Sequence, residues 1–306
     1  MAKARRAVKS RQIKPGLVLA DYEQWLERQP LADRSRSAYH SQVSGFVSWL
    51  ATSEHGRSAL SDPSVRDWAV RDYKRAIKAK GWKPSSVNQA LASIDNFYRS
   101  LGMSRPEVAR EDLAQVAPRA LEEDEQRRFL RAVQSTPAAR DRAVALVFFY
   151  AGLRLSELAA LGERDVALSA RRGRVTVRSG KGDAFRDVPL NSVCREAMSE
   201  WALDRADQIR RQELDDVDGW WLSRTGNQMT PRAIDLVVRR IATDAGLALS
   251  AHVLRHTCVT NLIRSGADVV LVAEIAGHKR LDTTRRYSLP SEADRDAAVE
   301  AVVVVD

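Results

Sequence analysis

The stretch AHVLRHTCVTNLIRSG, residues 251–266, puts two of the chain's five histidines and an arginine into five positions. With His278, three of the five histidines fall within 27 residues, and Tyr287 follows shortly after. Leu254, Cys258 and Leu262, with Val259 and Ile263, recur at helical spacing and define an apolar face. His252 and Arg255 are three apart, so their side chains are neighbours on the first turn. A helix start offers unpaired N–H groups and the positive end of a dipole, which suits an anion. Three other readings compete. A zinc helix has histidines four apart, as His252 and His256 are, but needs Glu where Val253 stands, and no acidic residue or further Cys/His pair lies at ligand spacing. A purely structural histidine is the favoured reading for His256 alone. A helix-turn-helix reader, 252–265 and 269–276 about Ser265-Gly266, leaves Lys181 and Tyr287 unexplained.

Other cations stand at special positions further out. In YAGLRLSELAAL, Arg154 follows Gly152 at a helix start, and Glu157, three residues on, is placed to orient it or a histidine. In GRVTVRSGKGDAFRDVPL, Val175, Val177 and Val188 alternate about a glycine turn, a β-hairpin with Lys181 at its tip. In IAGHKRLDTTRRY, His278 lies just past a helix end capped by Gly277, and Asp282 opens a last turn that carries Tyr287.

The 306 residues, 44% hydrophobic, suffice for two domains of ordinary size. The net charge of +9 and pI near 9.8 favour a polyanionic partner, although solubility alone also accounts for them. Residues 1–115 hold 20 Lys and Arg against 12 Asp and Glu; the remainder holds 29 against 28. Anion chemistry in the second part therefore depends on placing a few cations locally. Cys194 and Cys258 are too few for a disulfide framework. No apolar run matches a bilayer, and the basic N-terminus lacks a signal-peptide core, so a cytosolic protein is expected.

A basic arm over 1–16 is followed by four helical patterns. Leu19, Tyr22, Trp25 and Leu26 mark the first, and Tyr39, Val43, Phe46, Val47 and Leu50 the second. Asp62-Pro63 starts the third, which stops near Gly81, and Pro84 opens the fourth, which ends at Gly102. Arg71, Lys74, Arg75, Lys78, Lys80 and Lys83 form a basic run beside Tyr73 and Trp82, expected to meet phosphates. Residues 104–121 read as a linker with a short helix in it. Acidic Glu122-Glu123-Asp124 opens the second domain, with an apolar buried helix ending at Gly152, the hairpin, and helices near 191–212 and 231–245.

In order and spacing, these residues resemble the tyrosine recombinase (integrase) family: Arg in A-G-L-R-x-S-E-L, Lys in a G-K-G hairpin, H-x-L-R-H-T, G-H, and Tyr nine residues after that His. The resemblance covers essentially the whole chain. Pro290, where a His would closely follow RRYSL, and Ala151, where Thr is frequent, are departures that touch no catalytic atom. The resemblance implies a mainly α fold with a small β-hairpin or sheet (α+β). Its parts would be the arm, a helical core-binding (SAM-like) DNA-binding domain over 17–103, the linker, a catalytic domain over 122–290, and a 291–306 tail that docks on a neighbouring subunit.

It implies a site-specific DNA recombinase working through a 3′-phosphotyrosyl intermediate. Tyr287 would be the nucleophile, and Arg154 and Arg255 would grip the nonbridging oxygens with forked hydrogen bonds. His252 is the candidate base or proton shuttle, Lys181 the general acid, His278 a donor to the phosphate, and Glu157 an orienting group. Because the phosphotyrosyl link keeps the phosphodiester bond energy, neither ATP, metal nor cofactor is expected, and the sequence has neither a P-loop nor clustered carboxylates. Expected partners are a double-stranded recombination site and three further copies in a DNA-bound tetramer, the free protein being a monomer or weak dimer, cytoplasmic, nucleoid-associated and bacterial. The rival functions are a type IB topoisomerase-like nicking-closing enzyme and a DNA-binding accessory factor that does not cut.

Overall fold

The computed structural model describes residues 14–113, 119–178, 185–278 and 284. Lys181, Tyr287 and the 291–306 tail lie outside the described residues. Contacts divide the chain into two units, Met1–Ala114 and Gln115–Asp306.

Among the described residues the first unit has four α-helices, α1 (Pro15–Glu27), α2 (Asp33–Thr52), α3 (Pro63–Ala79) and α4 (Pro84–Ser100), with a 3-10 turn at Gly56–Leu60. Proline at the first position starts α1, α3 and α4, where its missing N–H costs nothing. Pro15-Gly16, expected to close the arm, is therefore the first turn of α1. Asp62 caps α3, its carboxylate accepting from Ser64 N at 2.8 Å. Tyr22, Phe46, Tyr73, Phe97 and Tyr98 are buried together, with Phe46 and Tyr73 edge-to-face at 5.1 Å. Tyr73, noted beside the basic run, belongs to the core.

Residues 104–113, the described first part of the expected linker, form no helix and are hydrogen-bonded to this unit. The buried Arg66 donates to Ser104 O at 2.7 Å and Lys74 to Ala109 O at 2.7 Å. Asn88 exchanges two 2.8 Å hydrogen bonds with the Glu111 backbone. These polar anchors lie 23 or more residues apart in sequence, beyond any local periodicity.

The second unit begins with α5 (Glu123–Gln134), its first turn closed by Glu125 accepting from Glu122 N at 3.1 Å. α6 (Ala139–Ala151) is buried over the continuous run Ala143–Phe149. Around it pack α8 (Ser192–Arg211), α9 (Pro231–Asp244) and α10 (Ala251–Arg264). Between α6 and α8 come a single turn, α7 (Leu155–Ala159), and an antiparallel sheet ordered β1-β2-β3: Val166–Leu168, Gly173–Arg178 and Phe185–Pro189. Val175 faces Val188 across the β2–β3 ladder, the alternation seen in the sequence; the short β1 gave no such signal. α11 (Val269–Ala276), capped by Asp268, follows α10. No described helix is long and apolar enough to cross a membrane.

Candidate active site

The site is organised by the C-terminal end of α11. The last carbonyls of any helix lack intrahelical partners and carry the negative end of its dipole. Here three guanidiniums take three successive carbonyls. Arg186 Nε donates to Ile275 O at 2.9 Å, Arg255 Nη2 to Ala276 O at 2.7 Å, and Arg154 Nη2 to Gly277 O at 2.6 Å. The sequence positions of these arginines, on β3, on α10 and before α7, are thus brought to one point.

Arg255 is almost wholly buried, 3% exposed. A buried cation is tolerated only when its donors are matched. Arg255 meets the carbonyl ends of two helices: Nη1 donates to Gly152 O, which caps α6, and Nη2 to Ala276 O. Gly152 is left-handed at φ +61°, and a Cβ there would lie 3.0 Å from Cys258 Sγ. Burial pushes the Cys258 thiol up to about 12, so it serves as packing at neutral pH.

Glu157 joins two of the arginines. Its carboxylate accepts from Arg154 N at 2.8 Å, Arg154 Nη1 at 2.6 Å, and Arg186 Nη1 and Nη2 at 3.1 and 2.8 Å. Burial alone would raise its pKa; the hydrogen bonds from Arg186 and Arg154 overcome that and hold it at about 2. It is ionised throughout the working range.

His278 stands against this cluster. Arg255 Nη2 lies 3.0 Å from His278 Nε2, and Nδ1 lies 2.8 Å from Oγ1 of the buried Thr284. A guanidinium can only donate, so Nε2 accepts and the proton resides on Nδ1, directed at Thr284. Burial, then the charges of Arg255, Arg154 and Arg186, depress the imidazole to about 4, leaving it neutral at pH 7. His252 and His256 stack edge-to-face at 4.1 Å. Burial, followed by Arg255, lowers His252, and burial, followed by His252, holds His256 at about 4. The more exposed His252 is therefore a free base at neutral pH, suited to accept a proton.

A cleft of about 760 Å³ opens beside Arg154, Glu157, Arg178, Phe185, Arg186 and His278. Arg154, 41% exposed on its side chain, is the guanidinium of the three most open to it. A larger basin of about 1010 Å³, lined by Arg128, Arg131, Arg140, Arg224 and Arg240, holds none of the residues anticipated from the motifs.

Of those residues, the structure brings together Arg154, Glu157, Arg255 and His278, with His252 at the start of α10 beside them. It adds Arg186, which the motif reading missed. One signal was available: alternation along β3 puts Arg186 on the same face as buried Val188, and an arginine turned inward needs partners. In the N-terminal unit the basic run is less open than its sequence suggests. Lys74 and Lys78 both grip Glu111, at 2.7 and 2.8 Å, and Arg71 lies over the Trp68 ring at 5.1 Å. Arg75 pairs with Asp72 while its side chain stays 76% exposed; Lys80 and Lys83 are exposed.

Residues 119–293 match the family model described as the phage integrase family. Tyrosine recombinase XerC of Azotobacter vinelandii is 32% identical over 271 residues, covering 84% of this chain and 82% of that protein. Tyrosine recombinase XerA of Thermococcus kodakarensis is 26% identical, covering 90% and 91%. A XerH site-specific recombinase bound to its palindromic difH substrate, in a post-cleavage complex, shares the fold at a TM-score of 0.71 and 19% identity, over 87% of this chain and 79% of that one. The chain belongs to the phage integrase family and is a tyrosine-type site-specific DNA recombinase.

Proposed function

We propose that the protein cleaves and rejoins DNA by transesterification at Tyr287, with Arg154 and Arg255 holding one backbone phosphate. The observation that carries this reading is the pair of guanidiniums on adjacent carbonyls, Ala276 O and Gly277 O. Guanidiniums anchored side by side in this way can be directed at one small anion, and their forked donors favour the extra charge of a pentavalent phosphorus.

In the first step the Tyr287 Oη attacks phosphorus, its proton passes to His252, and the P–O5′ bond breaks. The departing 5′ oxygen takes a proton from Lys181. A 3′-phosphotyrosyl link and a free 5′ hydroxyl result, and attack by a 5′ hydroxyl of another strand reverses the sequence with the two strands exchanged. When a phosphate draws Arg255 toward itself, His278 takes up a proton from solvent on Nε2, which turns from acceptor to donor while Nδ1–H stays on Thr284. Glu157 orients Arg154. Arg75, Lys80 and Lys83 are the members of the basic run best placed for phosphates, because Glu111 already engages Lys74 and Lys78.

The DNA-bound assembly is a tetramer in which the 291–306 tail docks on a neighbouring copy, and the free protein is a monomer or weak dimer in a bacterial cytoplasm, associated with the nucleoid. The test is a nicked duplex whose short 5′ fragment diffuses away after cleavage. Wild-type protein should form a covalent DNA adduct that Tyr287→Phe cannot form. An adduct that persists in Tyr287→Phe, or none with wild type on a bound site, contradicts the reading.

A further inference from the structure

We propose that Arg186 is a positioning residue for cleavage: it shares the Glu157 carboxylate and thereby leaves Arg154 available to the phosphate. This rests on the recombinase reading above. Glu157 lies three residues from Arg154, and by itself that carboxylate would close on the guanidinium as an ordinary helical ion pair. That pair is present, Arg154 Nη1 lying 2.6 Å from Glu157 Oε1, and with no second cation on the carboxylate it would cancel the charge the reaction needs. The structure places a second guanidinium on the same carboxylate. Arg186 contacts both oxygens, at 3.1 and 2.8 Å, so that two of the four hydrogen bonds Glu157 accepts are spent on Arg186. The trio Arg154, Glu157 and Arg186 carries a net +1 where Arg154 and Glu157 alone would carry none.

Arg186 is built to hold the carboxylate and is badly placed to touch substrate. Its side chain is 17% exposed against 41% for Arg154. Nε is fixed on Ile275 O at 2.9 Å, and both terminal nitrogens face Glu157. Gly277 closes the remaining side: a Cβ on it would lie 2.6 Å from Arg186 Cζ and Nη1. The same anchorage holds Ile275 O, two residues before the Gly277 O that Arg154 uses. Arg186 therefore sets both the charge on Glu157 and the position of the helix end that orients Arg154.

Single-turnover cleavage tests this, with a nicked duplex carrying a site selected by this full-length protein from a random duplex library. The variants are Arg186→Gln, Arg186→Lys, Glu157→Gln and the double Arg186→Gln/Glu157→Gln. Arg186→Gln should slow adduct formation at saturating DNA by ~10–100-fold, the range for a displaced reacting group, with the Kd for the site changed less than about threefold. Removing the uncompensated carboxylate in the double variant should restore the rate to within about threefold of Glu157→Gln, a rescue that mere structural support would not produce. Arg186→Lys keeps the charge and should stay within about tenfold of wild type even where the glutamine variant melts early. A double variant as slow as Arg186→Gln, or Arg186→Gln at the wild-type rate, overturns the proposal while a wild-type adduct upholds the recombinase reading. Absence of the wild-type adduct removes both.

Discussion

Replacing Gly277 by alanine tests the construction of the site at its tightest point. Gly277 has φ +66°, a left-handed conformation that costs a side-chain-bearing residue about 1–2 kcal/mol. The added Cβ would also lie 2.6 Å from Arg186 Cζ and Nη1 and 3.0 Å from Nε, inside any allowed contact. Arg186 must then move and weaken its bonds to Glu157 and Ile275 O. Hydrogen bonds to charged groups contribute about 1.5–3 kcal/mol each, and partial retention in new geometry leaves a net loss of about 2 kcal/mol. Gly277→Ala should accordingly destabilise by about 3 kcal/mol. In an Arg186→Ala background the collision is absent and only the backbone cost of ~1 kcal/mol remains. The assay is urea unfolding of the four members of this cycle, where a coupling of about 2 kcal/mol stands well above the ~0.5 kcal/mol scatter of independent sites. Additive effects, or a Gly277→Ala cost near 1 kcal/mol in both backgrounds, would refute the packing of Arg186 on the end of α11.

Three further outcomes are expected. His278 is held at about 4 by burial and by Arg255, Arg154 and Arg186, with Glu157 opposing; a bound phosphate reverses the sign of the local field, so binding takes up a proton. Site affinity measured from pH 5 to 8 at fixed salt should therefore fall as pH rises, by up to about tenfold per pH unit, and more steeply than in His278→Gln; equal slopes would contradict this. The Glu111 carboxylate is held below its ordinary range by hydrogen bonds from Lys74 and Lys78, so Glu111→Gln removes the charge that neutralises both cations. Filter binding to non-specific duplex should then tighten at low salt and its log–log salt slope steepen by about 1–2, whereas an unchanged slope would place this face away from DNA. Deleting residues 291–306 should impair synapsis, read by gel mobility of paired sites, more than binding of single sites; equal losses, or none, would remove the docking role of the tail.

The sequence made the outline of the site readable because its residues sit at punctuated positions. Gly152 and Gly277 end helices, and the arginine and histidine that follow them are thereby exposed to one region. The 3.6-residue period of α10 likewise predicted a buried face and put Arg255 beside His252. Arg186 was hidden because its partners, Glu157 and Ile275, are 29 and 89 residues away, and strand alternation announces only that it turns inward. Glu111 was hidden for a similar reason: an acid in a linker-like segment carries no local sign that it neutralises Lys74 and Lys78 on α3. Tyr73 misled for a different reason. A tyrosine amid lysines suits a nucleic-acid surface, but its position on α3 faces Phe46 in the core.

The central claim is that Arg154 and Arg255 neutralise the same phosphate, and a substrate that needs no neutralising tests it most directly. Cleavage should be measured on a duplex whose scissile phosphate is replaced by an uncharged methylphosphonate, for wild type, Arg154→Ala and Arg255→Ala. On the phosphodiester each alanine variant should lose about 10²–10³-fold in cleavage rate. On the methylphosphonate both should recover to within about tenfold of wild type on that substrate, since the missing charge has been removed from both sides. Recovery of neither variant, with wild type active on both substrates, would contradict the account.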